Sequence, residues 1–471
     1  MKTKTKSFFS RFLKNSAIFF VGSIFSKLVS FLMLPLYTSK IPTEQMGVFD
    51  TNVTIMTIVA SLCYFEIWTG VLRFLYAKTT DEEKEDIISS ALHIFLISTF
   101  LFIGIALLIC FLIGYSYPFL LVAYMFLYML SNLLSFIARG SNRNVDFAVS
   151  GCICSIITVS LNVLLIVAYQ FDYSALYISQ IAGFTIQCIY LILRDKDKTV
   201  LGALFKQSTL KKKLFFFCIP LCINTAAYWC LTGLNRIIFN TLYGNEASGI
   251  FAIGSRFSSI VILVTTCFAY AWQDLSFSST EDKNNSKDQI SALYSNGSVL
   301  YFKFLFASMA LILPLLKVIF PVFINSTYGE AINLIPLFII VSLLSGFSSF
   351  LGGTFYAIKE TKSVFITTII GVIVNVGLAF PLIIAFGPNG ANISTISAFL
   401  VMIIIRVCIL KKKIGFDFKI YLLLIFGAWS LLTWFIYTYF GVIENITFIF
   451  MSMPFVIYLF RKELKLIKNN R

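Results

Sequence analysis

The amino-acid sequence predicts an all-α polytopic membrane protein with about fourteen transmembrane helices. Three observations carry that prediction. The 471 residues are 58% hydrophobic and 13% charged, whereas a soluble domain is about half apolar and a quarter charged; the mean hydropathy is +0.88. Apolar runs of about 20 residues, the length that crosses a bilayer as a helix, follow one another along the chain. Lysine and arginine recur at every second junction between those runs, as the positive-inside rule requires.

The runs occupy residues 15–37, 48–71, 88–113, 117–138, 147–169, 174–193, 214–238, 248–272, 295–320, 331–357, 363–386, 390–410, 419–440 and 445–460. The basic N-terminus MKTKTKSFFSRFLKN leads into a run too long for a signal-peptide core, and no small-residue cleavage site follows, so an uncleaved first span is expected. With that end in the cytoplasm, the inside segments carry 5, 3, 2, 7, 2, 2, 5 and 5 Lys/Arg, 31 of the 37. The other six are Lys27, Lys40, Arg236, Arg256, Lys303 and Lys317, and only Lys40 falls clearly in an outside loop. Both termini are therefore expected in the cytoplasm, and the net charge of +15 reads as topology rather than as a nucleic-acid surface.

The outside loops, such as TSKIPTEQMG and FGPNGA, and the longest inside loop, RDKDKTVLGALFKQSTLKKK, leave no room for a catalytic domain. No G-x-x-x-x-G-K-[ST] phosphate loop is present. The one histidine, His93, reads as a packing residue, and the ten cysteines lie in or beside apolar runs, where they read as small core residues rather than a disulfide framework. No metal site and no cofactor are expected. Energy would come from an ion gradient or from the gradient of the substrate itself.

The chain repeats itself. TEQMGVFD, with Glu44, Gly47 and Phe49, is echoed 202 residues later by NEASGIFA, with Glu246, Gly249 and Phe251. LNVLL at Leu161 and VNVGL at Val374 follow, offset by 213, and YSALYIS and NGANIST then open the next span in each copy. Echoes in one order at nearly one offset argue for a duplicated six-span unit, and an even span number gives both copies the same orientation, the parallel repeat of several transporters. The expected divisions are an N-terminal lobe at 1–193, a basic linker at 194–213, a C-terminal lobe at 214–410, and two further spans with a basic tail at 411–471.

Charges at membrane depth are costly and mark pathways by default. In span one, Gly22, Ser23, Ser26, Lys27 and Ser30 form a polar stripe opposite Ile24, Phe25, Leu28 and Phe31, which turns Lys27 toward an interior. Glu66 lies in the inner part of span two, Arg236 ends span seven, Arg256 lies in the outer half of span eight among Ser255, Ser258 and Ser259, and Asp274 closes that span. Lys27, Arg256 and Arg236 are candidate substrate-binding cations. Glu66 and Asp274 are candidates for ion coupling or charge pairing, with a Lys27–Glu66 ion pair as the structural alternative. More deep cations than acids suit an anion, and phosphate or pyrophosphate is a natural partner for Lys and Arg.

These residues resemble a family. LPLYTSKIPTEQMGVFD, WTGVLRFLYAK, IPLCINTAAYWCLTGLNRIIFNTLYGNEASGIFAIGSRF, FAYAWQDLSFS and NVGLAFPLIIAFGPNGANISTI, in this order, resemble the lipid-linked oligosaccharide flippases of the multidrug/oligosaccharidyl-lipid/polysaccharide (MOP) exporter superfamily. The resemblance covers roughly residues 8 to 465. It implies two six-span lobes around a central cavity plus two spans, alternating access in a bacterial cell membrane, and no enzymatic activity. The implied substrate is an undecaprenyl-pyrophosphate-linked oligosaccharide, moved to the outer leaflet for capsule, exopolysaccharide or O-antigen synthesis. The lipid bilayer, H+ or Na+ as coupling ion and a polysaccharide polymerase are the accompanying partners, and no nucleic acid is among them. Lys27 and Arg256 match cationic cavity positions of the family, whereas Asn235 stands where an aspartate more usually precedes the arginine, here Arg236. A lipid-II-type flippase or a cation-coupled drug exporter of the same superfamily is the nearer alternative, although an acidic cavity would suit cationic drugs better. A membrane-embedded polymerase or transferase is the more distant one.

Overall fold

In the computed structural model the chain is helical, and no β-strand occurs among the described residues, which are 31–76, 80–195, 199–204, 206, 208–281, 287–358, 360–419 and 421–461. Among them, twelve helical segments are long and apolar enough to cross a membrane. One of the twelve, Lys211–Thr265, contains the seventh expected span and most of the eighth. Residues 15–30 of the first expected span, 15–37, lie outside the described residues. The protein is an all-α, multi-pass membrane protein, and the large side chains left exposed along its helices, such as Phe100, Phe111 and Leu112, are those a lipid phase would cover.

The chain divides into two compact units with the boundary between Asn240 and Thr241. The first contains α1 (Leu34–Lys40), α2 (Thr43–Cys63), α3 (Ile67–Tyr76), α4 (Asp81–Ile113), α5 (Pro118–Gly140), α6 (Asn144–Val163) and a π turn at Leu164–Ala168. It continues with α7 (Ser174–Leu193), α8 (Thr199–Ala203), α9 (Lys211–Thr232) and the start of α10 (Leu234–Glu281). Sequence grouping assigns the linker and span seven elsewhere, but both pack here. Helix α9 lies against α2, α3 and α4, and the bare Gly70 lets it approach, since a Cβ there would collide with Cys218 Sγ and stand 3.1 Å from Leu214.

The basic linker is strapped to the N-terminal end of α4, just past its acidic first turn. Lys206 Nζ lies 2.7 Å from Glu85 Oε2, Thr209 donates its backbone N–H and its hydroxyl to Asp86, and Ser89 Oγ donates to the Lys206 carbonyl at 2.8 Å. Asp195 accepts from Val200 N at 2.8 Å and pairs with Arg143 at 3.4 Å. The Glu85 carboxylate holds the Lys206 ammonium above its ordinary value, so the lysine end of this pair stays charged at neutral pH and is lost as pH rises through the lysine range. Asp86→Ala removes both acceptors of Thr209 and should speed trypsin cleavage at Lys206 while leaving cleavage of the C-terminal tail unchanged; equal rates in variant and wild type would show that the strap is held elsewhere.

Both copies of the repeated motif turn out to begin helices rather than to fill loops. Glu44 stands in the first turn of α2 after Pro42, and Glu246 follows Gly244, whose φ of 80° and ψ of −178° break α10 in two. A carboxylate at a helix N-terminus is favoured by the backbone dipole, which explains why each copy carries one. Phe49 packs 4.9 Å from Tyr177 and Phe251 packs 4.8 Å from Phe338, each anchoring its helix start within its own unit.

The second unit continues with α11 (Lys287–Phe323), a 3-10 segment at Ser326–Asn333, α12 (Ile335–Ala357), α13 (Thr361–Phe386), α14 (Pro388–Ile414), α15 (Tyr421–Tyr439) and α16 (Val442–Leu459). Tyr301, Phe302, Phe347 and Phe350 form its aromatic core, and Phe426 of α15 joins it through Phe302. The hairpin α13–α14 turns at Gly387 with φ 57°, and Gly390 then rests against the backbone of α13. A Cβ at Gly390 would overlap the Leu382 carbonyl and lie 2.7 Å from Ile383 N. Backbone cannot step aside as a flexible side chain can, so Gly390→Ala should cost about 2–3 kcal/mol as an overpacking defect. A melting temperature in detergent equal to that of wild type would refute it.

Candidate functional site

Charged side chains in apolar helices are the candidates, and each is held differently. Lys27 lies outside the described residues. Glu66 sits where span two breaks. α2 ends at Cys63, Phe65 and Glu66 adopt left-handed φ of 51° and 54°, and α3 restarts at Ile67. Such a conformation costs a non-glycine residue about 1–2 kcal/mol, so the surroundings must hold it. Glu66 Oε2 accepts from Thr69 Oγ1 at 3.1 Å and the Glu66 carbonyl accepts from Thr69 N at 3.0 Å, which caps the restarted helix. Thr225 and Trp68 also face the carboxylate. On the other side of the break, the Cys222 thiol of α9 stands 3.7 Å and 3.9 Å from the Ser61 and Leu62 carbonyls. The two cysteines the sequence places one turn apart, Cys218 and Cys222, thus line the α9 interface with the broken helix.

Arg236, at the start of α10, is joined to Asp50 of α2. Its Nη1 lies 3.0 Å and 2.9 Å from the two carboxylate oxygens. Asp50 is absent from the candidates drawn from sequence. It ends the TEQMGVFD motif, and reading that motif as a loop hides the fact that Asp50 stands two turns inside a helix. The acid missing beside Arg236, where Asn235 is buried at 3% exposure, is thereby supplied from another helix.

Arg256 lies in α10 beyond the break at Gly244, half-buried. The serines around it are turned to their own helix: Ser255 Oγ donates to Ala252 O at 2.7 Å, Ser258 Oγ to Ser255 O at 2.6 Å and Ser259 Oγ to Arg256 O at 2.5 Å. They satisfy backbone acceptors rather than extend a polar lining. The Arg256 charge is felt by the phenol of Tyr328, in the 3-10 segment outside the spans, where burial pushes the phenol up and Arg256 opposes it. Gly254, two residues before Arg256, keeps that segment close, with Ala331 O 3.4 Å from where a Cβ would stand. Asp274 falls within α10, with its side chain outside the described part.

A further cation was hidden by the loop-charge count. Arg406, counted with the basic residues after span twelve, is inside α14 with 4% exposure. Its Nε donates to Thr367 Oγ1 at 3.0 Å, Nη1 to Ser348 Oγ at 2.9 Å and Nη2 to Thr368 Oγ1 at 3.2 Å. It joins α12, α13 and α14 from within the second unit. His93 hydrogen-bonds the Ser89 carbonyl one turn earlier at 2.8 Å, a helix-packing role.

Comparisons with known proteins agree in kind. The sequence profile described as "Polysaccharide biosynthesis protein" matches residues 12–272. No curated protein sequence matches the chain. Among solved structures, a lipid II flippase MurJ in an inward closed conformation is 15% identical, with 96% of this chain and 99% of that one covered and a TM-score of 0.69. An inward-facing multidrug resistance MATE family transporter of the MOP superfamily is 14% identical over 86% of this chain and 96% of that one, with a TM-score of 0.67. A MOP superfamily transporter from Pyrococcus furiosus, described as having a binding pocket of reverse polarity, is 15% identical over 85% and 96%, with a TM-score of 0.59. At such identities the likeness is one of fold.

Proposed function

The chain belongs to the polysaccharide biosynthesis protein family, and from that premise, together with its likeness in fold to transporters of the MOP superfamily, we propose that it is a membrane flippase that carries undecaprenyl-pyrophosphate-linked oligosaccharide units from the cytoplasmic to the outer leaflet of a bacterial cell membrane by alternating access. The observation that carries the reading is the presence of arginines inside membrane-length apolar helices with part of each side chain accessible: Arg236 at 28% exposure and Arg256 half-buried. A guanidinium at membrane depth is costly and marks a pathway by default, and where part of it stays accessible a diphosphate can supply it with several acceptor oxygens and at least two charges. In this reading Lys27, Arg236 and Arg256 are each proposed to contact the diphosphate at some stage of its passage, the glycan follows it, and the polyprenyl tail remains in lipid. The loop charges support cytoplasmic termini. Glu66 is the acid proposed to couple transport to H+ or Na+, since a carboxylate at a helix break can change its hydrogen bonds with little cost to the helices on either side.

The test is reconstitution. Liposomes containing the full-length protein and a fluorescent polyprenyl-diphosphate oligosaccharide should show the glycan crossing between leaflets faster than protein-free liposomes. Crossing at the protein-free rate, with correctly inserted protein and an imposed proton or sodium gradient, would overturn the proposal.

A further inference from the structure

We propose that Asp50 is a built-in competitor for Arg236: it occupies the guanidinium in the absence of substrate, yields it to the diphosphate, and shortens the time the diphosphate stays there. This rests on the reading of the chain as a carrier of diphosphate-linked lipid.

The geometry shows an ion pair suited to exchange. Arg236 Nη1 faces both Asp50 oxygens at 3.0 Å and 2.9 Å, a charge-assisted contact of the kind that a second anion offers equally well. Both side chains keep partial access, 28% for Arg236 and 17% for Asp50, so a second anion can approach without first unfolding the contact. A fully buried pair could not be exchanged in this way without leaving a bare charge in a medium of low dielectric.

The repeat shows that the acid is an addition to the architecture. The motif that ends in Asp50 recurs 202 residues later and ends in Ala252, which is fully buried. The second copy begins its helix with the same glutamate, glycine and phenylalanine and places a methyl group where the first copy places a carboxylate. The helix start therefore does not need the acid.

The chemistry gives the acid a use. An arginine that held a diphosphate with nothing competing would bind it tightly and release it slowly, and tight ground-state binding does not speed turnover. A carboxylate held within a few ångströms competes as a tethered ligand, with the advantage of high effective concentration, while carrying less charge than the diphosphate. Binding then remains possible and release becomes faster.

The experiment uses full-length protein in detergent and inorganic pyrophosphate as the probe, with binding followed by calorimetry. Asp50→Asn should lower the pyrophosphate Kd roughly tenfold, and Asp50→Ala, which copies the residue of the second repeat, should do the same. Adding Arg236→Gln to either variant should abolish the gain. An unchanged or weaker Kd in both Asp50 variants, with melting temperatures near that of wild type, would reduce the pair to a structural clamp and overturn the proposal, as would a gain that survives Arg236→Gln. A lipid-transport assay on the same proteins separates this from the function itself. Wild-type protein that moves the diphosphate lipid while the Asp50 variants bind pyrophosphate no better defeats the competitor alone. Stronger binding in the variants with no lipid transport by any form defeats the proposed function and leaves the competition standing.

Discussion

Arg406→Ala is expected to destabilise the second unit by about 3 kcal/mol or more, the sum of lost charge-assisted hydrogen bonds and an unfilled cavity. The side chain is 4% exposed and reaches three helices. Thr367 and Thr368 belong to α13, Ser348 to α12, and the arginine itself to α14. Each threonine hydroxyl already donates to its own helix, Thr367 Oγ1 to Ser363 O at 2.9 Å and Thr368 Oγ1 to Val364 O at 2.8 Å. What they offer Arg406 is therefore the acceptor side of the same oxygen, and the arginine completes a chain of polarised bonds. Arg406→Lys keeps the charge but presents one compact ammonium in place of a planar fork, and should fall between wild type and alanine. Arg406→Met fills the volume without the charge. If methionine restores most of the stability, the cavity dominates; if it does not, the hydrogen bonds do. A melting temperature of Arg406→Ala within a degree of wild type, measured in detergent on the purified protein, would show that the cluster contributes nothing.

Arg406 also shows where sequence reasoning reaches its limit. Helical spans and the alternation of loop charge follow from composition and one-dimensional order, because a bilayer admits little but apolar helices. Those features are legible without coordinates. A charge four residues from the end of an apolar run looks the same whether it reaches out to the interface or turns inward to meet hydroxyls from two other helices. Asp50 and Arg236 are 186 residues apart in sequence, and nothing local to either announces the other. The break at Phe65–Glu66 is equally silent, since neither residue is a glycine or a proline and Glu66 reads in sequence as a charge within one continuous span. The repeat was legible as a repeat, but its physical reason, a glutamate placed at the start of a helix, appears only when the helix boundaries are known. Linker residues 194–213 show the same limit: their charge is visible, and their attachment to Glu85 and Asp86 is not.

Arg256→Ala and Lys27→Ala should each reduce surface polysaccharide by about a hundredfold while the protein still inserts in the membrane. A charge-assisted contact to a phosphate group contributes about 1.5–3 kcal/mol, and a carrier that loses it in the rate-limiting state loses about ten- to a hundredfold in rate. The upper end applies where the group has no water to replace the lost partner. For Arg256 the surroundings sharpen the test. Its neighbouring serines are committed to backbone carbonyls, so none of them is positioned to take over anion binding when the guanidinium is gone. Arg256→Lys keeps a cation at the site and should retain part of the activity, which separates charge from shape. Tyr328→Phe removes the phenol that feels the Arg256 charge but preserves the buried ring, and should leave transport near wild type; a loss as deep as that of Arg256→Ala would mean that Arg256 acts by fastening α10 to the 3-10 segment. Normal polymer in both alanine variants, with normal amounts of protein in the membrane, would show that the diphosphate does not depend on these cations and would return their roles to helix packing.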